Sequence, residues 1–491
     1  MFEETHHSPA NDDLARGLSQ RHIELIAIGG CIGTGLFLGA GTTISLAGPA
    51  IIVIYAITGL MLYLMMRAMG ELLLYDTHYK SFVDFSEDIL GPFVGYLVGW
   101  SYWFAWIVAA IAEVIAITGY LDFWWPGLPH WLVACLAILL LFSINMLAVK
   151  AFGELEFWLA IIKVVTIIGL IGIGLWLVVN GFTDKVGYKS SVDNLWNHGG
   201  FFPMGIDGML RGLQTTIFAF AGMEIIGTMM AEARNPEKMI PKAIRSIPFR
   251  IMLFYIGTVS VLMMVTPWQE IPATSSPFVN IFSLAGLLSA AGFINFVVLS
   301  SAISSSNSGV FATSRMLYGL ARNHNAPPLF GKLSSFHIPS RAVILATVIM
   351  IATTFVLTMT ESVIEGFQIV GSVSALLFIF VWSVIMVAYL VHQQRRPYAY
   401  GQSVFPMPGR YWSSFIVLIF FAVVLYALTL DMTTRIAIFV SPIWFLVLGL
   451  GFYLKTRRDP FYQRTKERFK EKVQSELSLA QDFHHQQRAK D

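Results

Sequence analysis

An all-α membrane protein that crosses the bilayer twelve times is the fold class that the sequence predicts. Of its 491 residues, 56% are hydrophobic and only 13% are charged, whereas soluble domains carry about 25% charged residues. The apolar residues are grouped in runs of about 20, the length that a helix needs to cross the hydrocarbon core of a membrane. Two of the runs contain interruptions near their middles.

Twelve apolar runs meet this length. The polar stretch before the first run lacks the apolar core of a signal peptide, so we expect that run to be retained as a helix. The runs cover residues 22–46, 49–71, 92–120, 130–149, 155–180, 207–231, 249–267, 284–307, 342–360, 364–391, 412–430 and 435–454.

The distribution of basic residues predicts the orientation in the membrane. Most of the 32 lysines and arginines fall in segments that an inside N-terminus would place in the cytoplasm, where such residues are enriched. The loops 40–48, 121–129, 268–283 and 361–363 contain none. We therefore expect a multi-pass protein of the cell membrane with both termini in the cytoplasm.

The interruptions lie in the first run, at residues 29–35, and in the sixth run, at residues 218–224. An unwound helix exposes backbone groups that survive in a membrane only where they line a cavity. Half-helix ends attract ions of both signs, so a zwitterion would fit between the two interruptions. Because the interrupted runs are five apart, they cross in opposite directions, as in a 5+5 inverted repeat.

The predicted organisation follows from this repeat. Neither tail and no loop is long enough for a separate soluble domain. The segments are a cytoplasmic N-terminal tail (1–21), transmembrane helices 1–5 (22–180), helices 6–10 (207–391), helices 11–12 (412–454) and a basic cytoplasmic tail (455–491).

Three ionisable residues inside the runs are candidates for proton coupling. Lys163 lies about two turns inside the fifth run, where burial disfavours its charge; snorkelling to the interface is the alternative. Glu113 has apolar neighbours and serves either a structural hydrogen bond between helices or a gating, proton-relay or substrate-facing role. Glu224 follows the second interruption and could accept hydrogen bonds from N–H groups that are freed at the first interruption. We expect the charge of Glu156, near the start of the fifth run, only to complement the dipole of that helix.

The positions of the histidines argue against an enzyme. All eleven fall in tails, loops or the ends of runs, whereas a membrane-embedded metal centre or histidine-based hydrolase would need one inside. No phosphate loop or dinucleotide motif is present, so the sequence predicts no metal, no cofactor and no nucleic-acid partner. Transport driven by an ion gradient is the function that remains.

Several stretches resemble the amino acid–polyamine–organocation superfamily, and within it the bacterial amino acid transporters. Two loops, 195–203 and 265–268, are similar to those of permeases for small neutral amino acids. The stretches that carry the family resemblance are 21–37, 67–72, 150–158, 232–238, 306–309 and 313–318.

The resemblance implies the inverted-repeat fold of the sodium-coupled leucine transporter and proton symport of a small amino acid. It implies that the N–H groups of Gly33, Thr34 and Gly35 bind the substrate carboxylate, and that Lys163 takes the place of a sodium ion. Relatives have an aromatic gate where this chain has Met223. The carbonyls that would hold the substrate amine are those of Cys31, Phe218, Ala219 and Ala221. The aromatic ring that could replace the gate is that of Phe220.

The expected function is therefore proton-coupled uptake of small neutral amino acids such as glycine, D-alanine, D-serine and L-alanine. Two alternatives remain open on the sequence. The same fold could carry aromatic or branched amino acids or act as an exchanger, or the protein could be a transporter-like amino acid sensor. The expected partners are the substrate, a proton and the lipid bilayer, and no oligomeric state is predicted.

Overall fold

A computed structural model describes most of the chain. The predicted N-terminal tail and the beginning of the first run, including Cys31, lie outside the described residues. These are 32–76, 78–147, 149–183, 187–228, 235–273, 275–284, 288–354, 362–397, 399, 403–458 and 460–488.

The first half of the described chain is helical apart from its connecting loops. A single isolated bridge pairs Thr183 with Lys189 in the loop before α8. The helices are α1 (Thr34–Phe37), α2 (Gly39–Ala47), α3 (Ile51–Tyr75), α4 (Phe82–Leu90), α5 (Pro92–Leu121), α6 (His130–Asn145), α7 (Val149–Val179) and α8 (Gly205–Phe220).

The second half is also helical. A short helix (Ile247–Arg250) and a π-helical stretch (Ile251–Gly257) connect α9 with α10. The helices are α9 (Pro236–Arg245), α10 (Thr258–Val265), α11 (Pro277–Leu284), α12 (Leu288–Arg322), α13 (Ser340–Thr353), α14 (Val363–Arg395), α15 (Arg410–Ala427), α16 (Met432–Arg458) and α17 (Pro460–Arg488).

The helix lengths confirm an all-helical, multi-pass membrane protein. Seven helical stretches of the described chain are long and apolar enough to span a bilayer, and α6 and α13 are shorter apolar helices. The number of twelve spans and the inverted repeat stay predictions. The seven stretches are Gly39–Tyr75, Pro92–Leu121, Lys150–Val179, Glu237–Val265, Val363–Arg395, Arg410–Ala427 and Met432–Arg457.

Among the helix boundaries that differ from the sequence prediction, the end of α12 has an identifiable reason. The helix α12 continues to Arg322, well past the predicted end at 307. Its serine- and asparagine-rich stretch at 300–308 is buried and bonded to other helices, so its polarity marks an internal contact rather than a helix end. The helix α7 begins at Val149, six residues before the predicted 155.

The helix α5 forms the centre of the molecule. In its most apolar window 83% of the residues are buried, against 17% for α16. It packs along its length against α12 and α14, while α2 packs against α8. The ionisable and polar residues on the inward faces of α5, α7 and α12 are therefore kept from lipid, as their desolvation cost requires.

Local residues define the two ends of the short helix α4, which precedes α5. The Ser81 hydroxyl accepts from the Val83 N–H, and the Asp84 carboxylate accepts from the Ser81 N–H, which together form a capping box. At the other end Gly91 has φ +103°, a backbone conformation that favours glycine, and Pro92 begins α5.

Candidate functional site

The interruption after α8 is local and sharply defined. The helix ends at Phe220, Ala221 is extended (φ −58°, ψ 144°) and Gly222 has φ +103°. A 3₁₀ stretch, Met223–Thr228, follows. The chain therefore leaves helical geometry inside the sixth apolar run, at the position predicted from the sequence.

The first interruption faces the second. Ile32 and Gly33 are non-helical, and α1 starts at Thr34. A Cβ atom placed on Gly35 would lie 2.5 Å from the Cα of Ala219. Only a residue without a side chain allows this approach of the two backbones. The part of this interruption before residue 32 lies outside the described residues.

A small cavity lies where the two interruptions meet. Its volume is about 10 Å³, room for about one water molecule. The structure is thus closed around the site, since even glycine requires more space. The lining residues are Gly33, Gly35, Trp106, Ala109, Glu113, Phe218, Ala219, Ala221 and Ser305.

Five of the predicted binding residues line this cavity, whereas Thr34, Phe220 and Met223 do not. The ring of Phe220 stacks on Tyr255 with centroids 4.4 Å apart, behind the cavity wall. Met223 lines a separate cavity that includes Arg250. The phenylalanine that lines the site is Phe218, whose ring packs edge-on against Phe367 of α14.

Three lining residues were missed by the sequence analysis. Trp106 and Ala109 precede Glu113 by seven and four residues, so they share its face of α5. That spacing was a usable signal. Ser305 comes from the serine-rich stretch of α12, whose position at the site depends on packing between distant segments.

Glu113 occupies part of the predicted carboxylate site. Its two carboxylate oxygens each lie 3.4 Å from the Thr34 nitrogen, whose N–H donates to them. A Cβ atom on Gly33 would lie 2.6 Å from Glu113 Oε1 and 2.8 Å from Ser305 Oγ. A substrate carboxylate binding to the same N–H would compete with this side chain.

Two of the carbonyls assigned to the substrate amine already accept hydrogen bonds. The Phe218 carbonyl accepts from the Ala221 N–H at 3.3 Å, and the Ala219 carbonyl accepts from the Tyr255 hydroxyl at 2.8 Å. A carbonyl oxygen has two lone pairs, so each retains capacity for an ammonium donor.

Lys163 is fully buried and bonded to the first interruption. Its Nζ donates to the Ile32 carbonyl at 3.1 Å, and the Ser301 hydroxyl donates to the same oxygen at 2.6 Å. Glu113 interacts electrostatically with this lysine. The snorkelling alternative is therefore wrong, because the amine points into the protein.

Glu224 is bonded at its own interruption, and residues 29–31 of the first interruption, from which it was expected to accept, lie outside the described residues. Its Oε2 accepts from the Gly222 N–H at 3.1 Å. Tyr102 and Trp106 of α5 lie beside this carboxylate. Glu224 is completely buried, so it ties the 3₁₀ stretch to the end of α8.

Glu156 does not act on the helix dipole, contrary to the sequence-based expectation. It is the eighth residue of α7 and is 1% exposed. Its Oε1 accepts from Asn307 Nδ2 and its Oε2 from the Ser304 hydroxyl, both at 2.6 Å. Within the described residues, no group of histidines, cysteines and acids could hold a metal ion.

Comparison with known proteins assigns the chain to a family. The model of a family described as "Amino acid permease" matches residues 22–461. The chain belongs to the amino acid permease family. This permease is 49% identical over 445 residues to the D-serine/D-alanine/glycine transporter of Escherichia coli (strain K12), covering 91% of this chain and 95% of the relative.

Two further relatives align with a similar share of the permease chain. Identity is 45% over 446 residues to the amino-acid permease AapA of Bacillus subtilis (strain 168), with 91% of this chain and 96% of the relative covered. Identity is 37% to the aromatic amino acid transport protein AroP of Escherichia coli O6:H1, with 91% and 97% covered. The permease is thus a multi-pass membrane transporter rather than an enzyme, which confirms the resemblance of its sequence motifs.

Proposed function

We propose that the protein carries small neutral amino acids into the cell together with a proton. Glycine, D-alanine and D-serine are the proposed substrates, with L-alanine as a further member of the class. The observation that carries the proposal is the buried amine of Lys163 on the Ile32 carbonyl, because it joins an ionisable group directly to the interrupted helix.

The proposed topology has twelve spans and cytoplasmic termini. Segments 22–180 and 207–391 form the two inverted halves, and 412–454 adds two outer helices. The α8 interruption at Ala221 and Gly222 supports this arrangement, since a break in a spanning helix needs a polar cavity beside it.

The proposed binding mode uses main-chain groups on both sides of the cavity. The N–H groups at Gly33, Thr34 and Gly35 bind the substrate carboxylate, displacing Glu113 from Thr34. The carbonyls of Phe218, Ala219 and Ala221 bind the amine, with Cys31 as a further candidate outside the described residues. The remaining candidates, Phe220 and Met223, would reach the substrate only after a rearrangement.

The small volume of the closed cavity favours a small substrate. A site with room for about one water molecule must expand to take any amino acid, and the expansion is smallest for glycine and alanine. The rigid indole of Trp106 and the ring of Phe218 form two of the walls. A small substrate is therefore favoured over an aromatic or branched one.

The coupling mechanism assigns Lys163 as the proton carrier. A protonated amine donates to the Ile32 carbonyl and stabilises the interruption in its binding geometry, whereas the neutral amine binds it less strongly. Glu113 and Glu224 are the carboxylates proposed to respond to substrate and proton at the two interruptions. Loss of the proton on the cytoplasmic side would then loosen the site and release the substrate.

Uptake into proteoliposomes tests this function. With an inward proton gradient and no sodium, the wild-type protein should concentrate labelled glycine, and excess D-alanine or D-serine should compete whereas phenylalanine or leucine should not. The Lys163→Ala variant should lose gradient-driven accumulation. Lys150→Ala, an exposed lysine on the same helix, is the matched control and should accumulate glycine normally.

Two results would contradict the proposal. One is accumulation by the Lys163→Ala variant at the wild-type level, and the other is a sodium requirement of the wild-type protein. Substrate counterflow without any driven accumulation by the wild type would favour the exchanger alternative.

A further inference from the structure

The helix α7 carries a second buried charge besides Lys163. Glu156 precedes that lysine by seven residues, which is about two helical turns, so both side chains share one face. This buried face is a minor part of α7, because only 28% of the residues in the most apolar window of the helix are buried. A carboxylate and an amine on the buried face of a mostly lipid-facing helix carry a desolvation cost that calls for a function.

Neutral groups hold the Glu156 carboxylate in place. Asn307 and Ser304 donate to its two oxygens at 2.6 Å each, and the Ser308 hydroxyl approaches Oε2 at 3.5 Å. Asn145 of α6 donates to the Asn307 amide oxygen at 2.7 Å, which fixes the orientation of that amide. The hydrogen bonds that hold this carboxylate thus come from neutral side chains.

The charged group that acts on Glu156 is Lys163. Glu113 of α5 also interacts with this lysine. On α12, the guanidinium of Arg315 packs over the ring of Phe311, and α10 presents no titratable side chain to α7. Two carboxylates, Glu113 and Glu156, therefore interact with one amine.

The serines of α12 connect the lysine to Glu156. The Ser301 hydroxyl shares the Ile32 carbonyl with Lys163, and the Ser304 hydroxyl donates to Glu156. Ser301 and Ser304 are three residues apart on one helix face, at roughly 5–6 Å between Cβ atoms. A hydroxyl both donates and accepts, so Ser301, once it turns from the Ile32 carbonyl to accept from the amine, can relay a proton through one bridging water to Ser304.

We propose that Glu156 accepts the proton that Lys163 releases toward the cytoplasm, with Ser301 and Ser304 as the relay. This rests on the proton coupling proposed above. An N–H bond of the ammonium breaks and an O–H bond forms on a carboxylate oxygen of Glu156. The amine and the acid are then both neutral, so the transfer removes two buried charges together. The acid later releases its proton to water at the end of α7 that the proposed topology places in the cytoplasm.

The experiment separates coupling from binding in proteoliposomes that contain the full-length protein. A gradient of one pH unit supports at most about tenfold accumulation for one coupled proton. Glu156→Gln preserves the size of the side chain and its amide oxygen can still accept from Asn307. The variant should keep counterflow of labelled glycine within about twofold of wild type, while its accumulation ratio falls to about one.

The pH profile provides a readout that a merely structural role would not change. Counterflow by Glu156→Gln should depend less on internal pH than that of the wild type. Glu154→Gln is the matched control, because Glu154 lies on another face of α7, and it should keep both the accumulation ratio and the profile.

A wild-type accumulation ratio in Glu156→Gln overturns the inference. If Glu156→Gln also loses counterflow, the Ser304→Ala variant provides the test, because it keeps the carboxylate and removes the relay. Normal accumulation by Ser304→Ala would then overturn the inference. Failure of the wild type to accumulate glycine under a pH gradient would instead refute the proposed proton coupling itself.

Discussion

At the level of single residues, glycines near the first interruption differ in the space beside them. A Cβ atom on Gly35 would lie 2.5 Å from the Cα and 2.7 Å from the nitrogen of Ala219, both backbone atoms that cannot rotate away. Beside Gly39, one turn later, nothing lies within 4 Å. The close approach of the two interruptions is therefore a requirement at Gly35 and not at Gly39.

We predict that Gly35→Ala lowers uptake by about a hundredfold, the order of loss that follows when a site is displaced by about 1 Å. Gly39→Ala should transport normally. The measurement is the initial rate of glycine uptake, divided by the amount of protein inserted in the membrane. Equal rates for the two variants would show that the interruptions need not touch.

At the level of secondary-structure elements, α4 holds an acid whose charge is disfavoured. Burial, with the nearby charge of Asp84, raises the pKa of Glu87 to about 7 from an ordinary 4.5. The folded protein thus keeps a proton on Glu87 that the unfolded chain loses. Folding stability from this group is highest below about pH 4.5, falls as pH rises toward 7 and stays reduced above that.

Glu87→Gln should remove this pH dependence, since the amide is neutral throughout. The difference in melting temperature between variant and wild type should grow in favour of the variant from pH 5 to pH 7 and then level off. Thermal unfolding of the detergent-solubilised protein measures it. Glu471→Gln, an exposed acid of α17, is the control and should show a constant difference. A constant difference for Glu87→Gln would contradict the prediction.

The helices themselves were predictable to different degrees. Hydropathy is read along the chain, so runs such as α3, α5 and α14 were located to within a few residues. The end of α12 was placed too early because its buried serines look like a polar loop until their partners are known. The interruption at Gly222 was visible because it is itself a local sequence feature.

At the level of the whole molecule, α17 is tied to the rest of the protein rather than free in solution. Lys472 forms an ion pair with Asp88 of α4, and Arg396 after α14 donates through Nε to Glu476 at 3.1 Å. The ring of Phe469 lies against Gly91. The basic tail is thus docked through charged contacts, although most of its side chains between residues 462 and 481 remain exposed.

We predict that Lys472→Glu releases α17, because it replaces the ion pair with two like charges. Hydrogen–deuterium exchange should increase across α17 in this variant and not in Lys470→Glu, whose lysine is exposed. High salt should loosen the wild-type tail in the same direction. Unchanged protection in Lys472→Glu would show that apolar contacts alone hold the helix.

The ion pair between Asp88 and Lys472 should not respond to pH in the physiological range. Burial opposes the charge of Asp88, but bonds from Lys472 and Tyr79 and the charge of Arg396 outweigh it and hold its pKa below the ordinary 3.8. The contribution of this carboxylate to docking is therefore complete above that value and is lost only as the pH falls through the lower pKa. In the Glu87→Gln variant, which removes the other group of α4 that titrates near pH 7, exchange across α17 should be equal at pH 6 and pH 8 after correction for intrinsic rates.

The sequence by itself determined the membrane class, the approximate spans, the two interruptions and the family, because all of these depend on local composition and on motifs. It also singled out Lys163, Glu113 and Glu224, since an ionisable residue in an apolar run is conspicuous. Only the tertiary structure decided which groups meet. Glu156 and Asn307 are 151 residues apart, and no pattern along the chain shows which faces of α7 and α12 will pack together. The same holds for Asp88 and Lys472 at the docked tail, where attraction depends on distance in space rather than on separation in sequence.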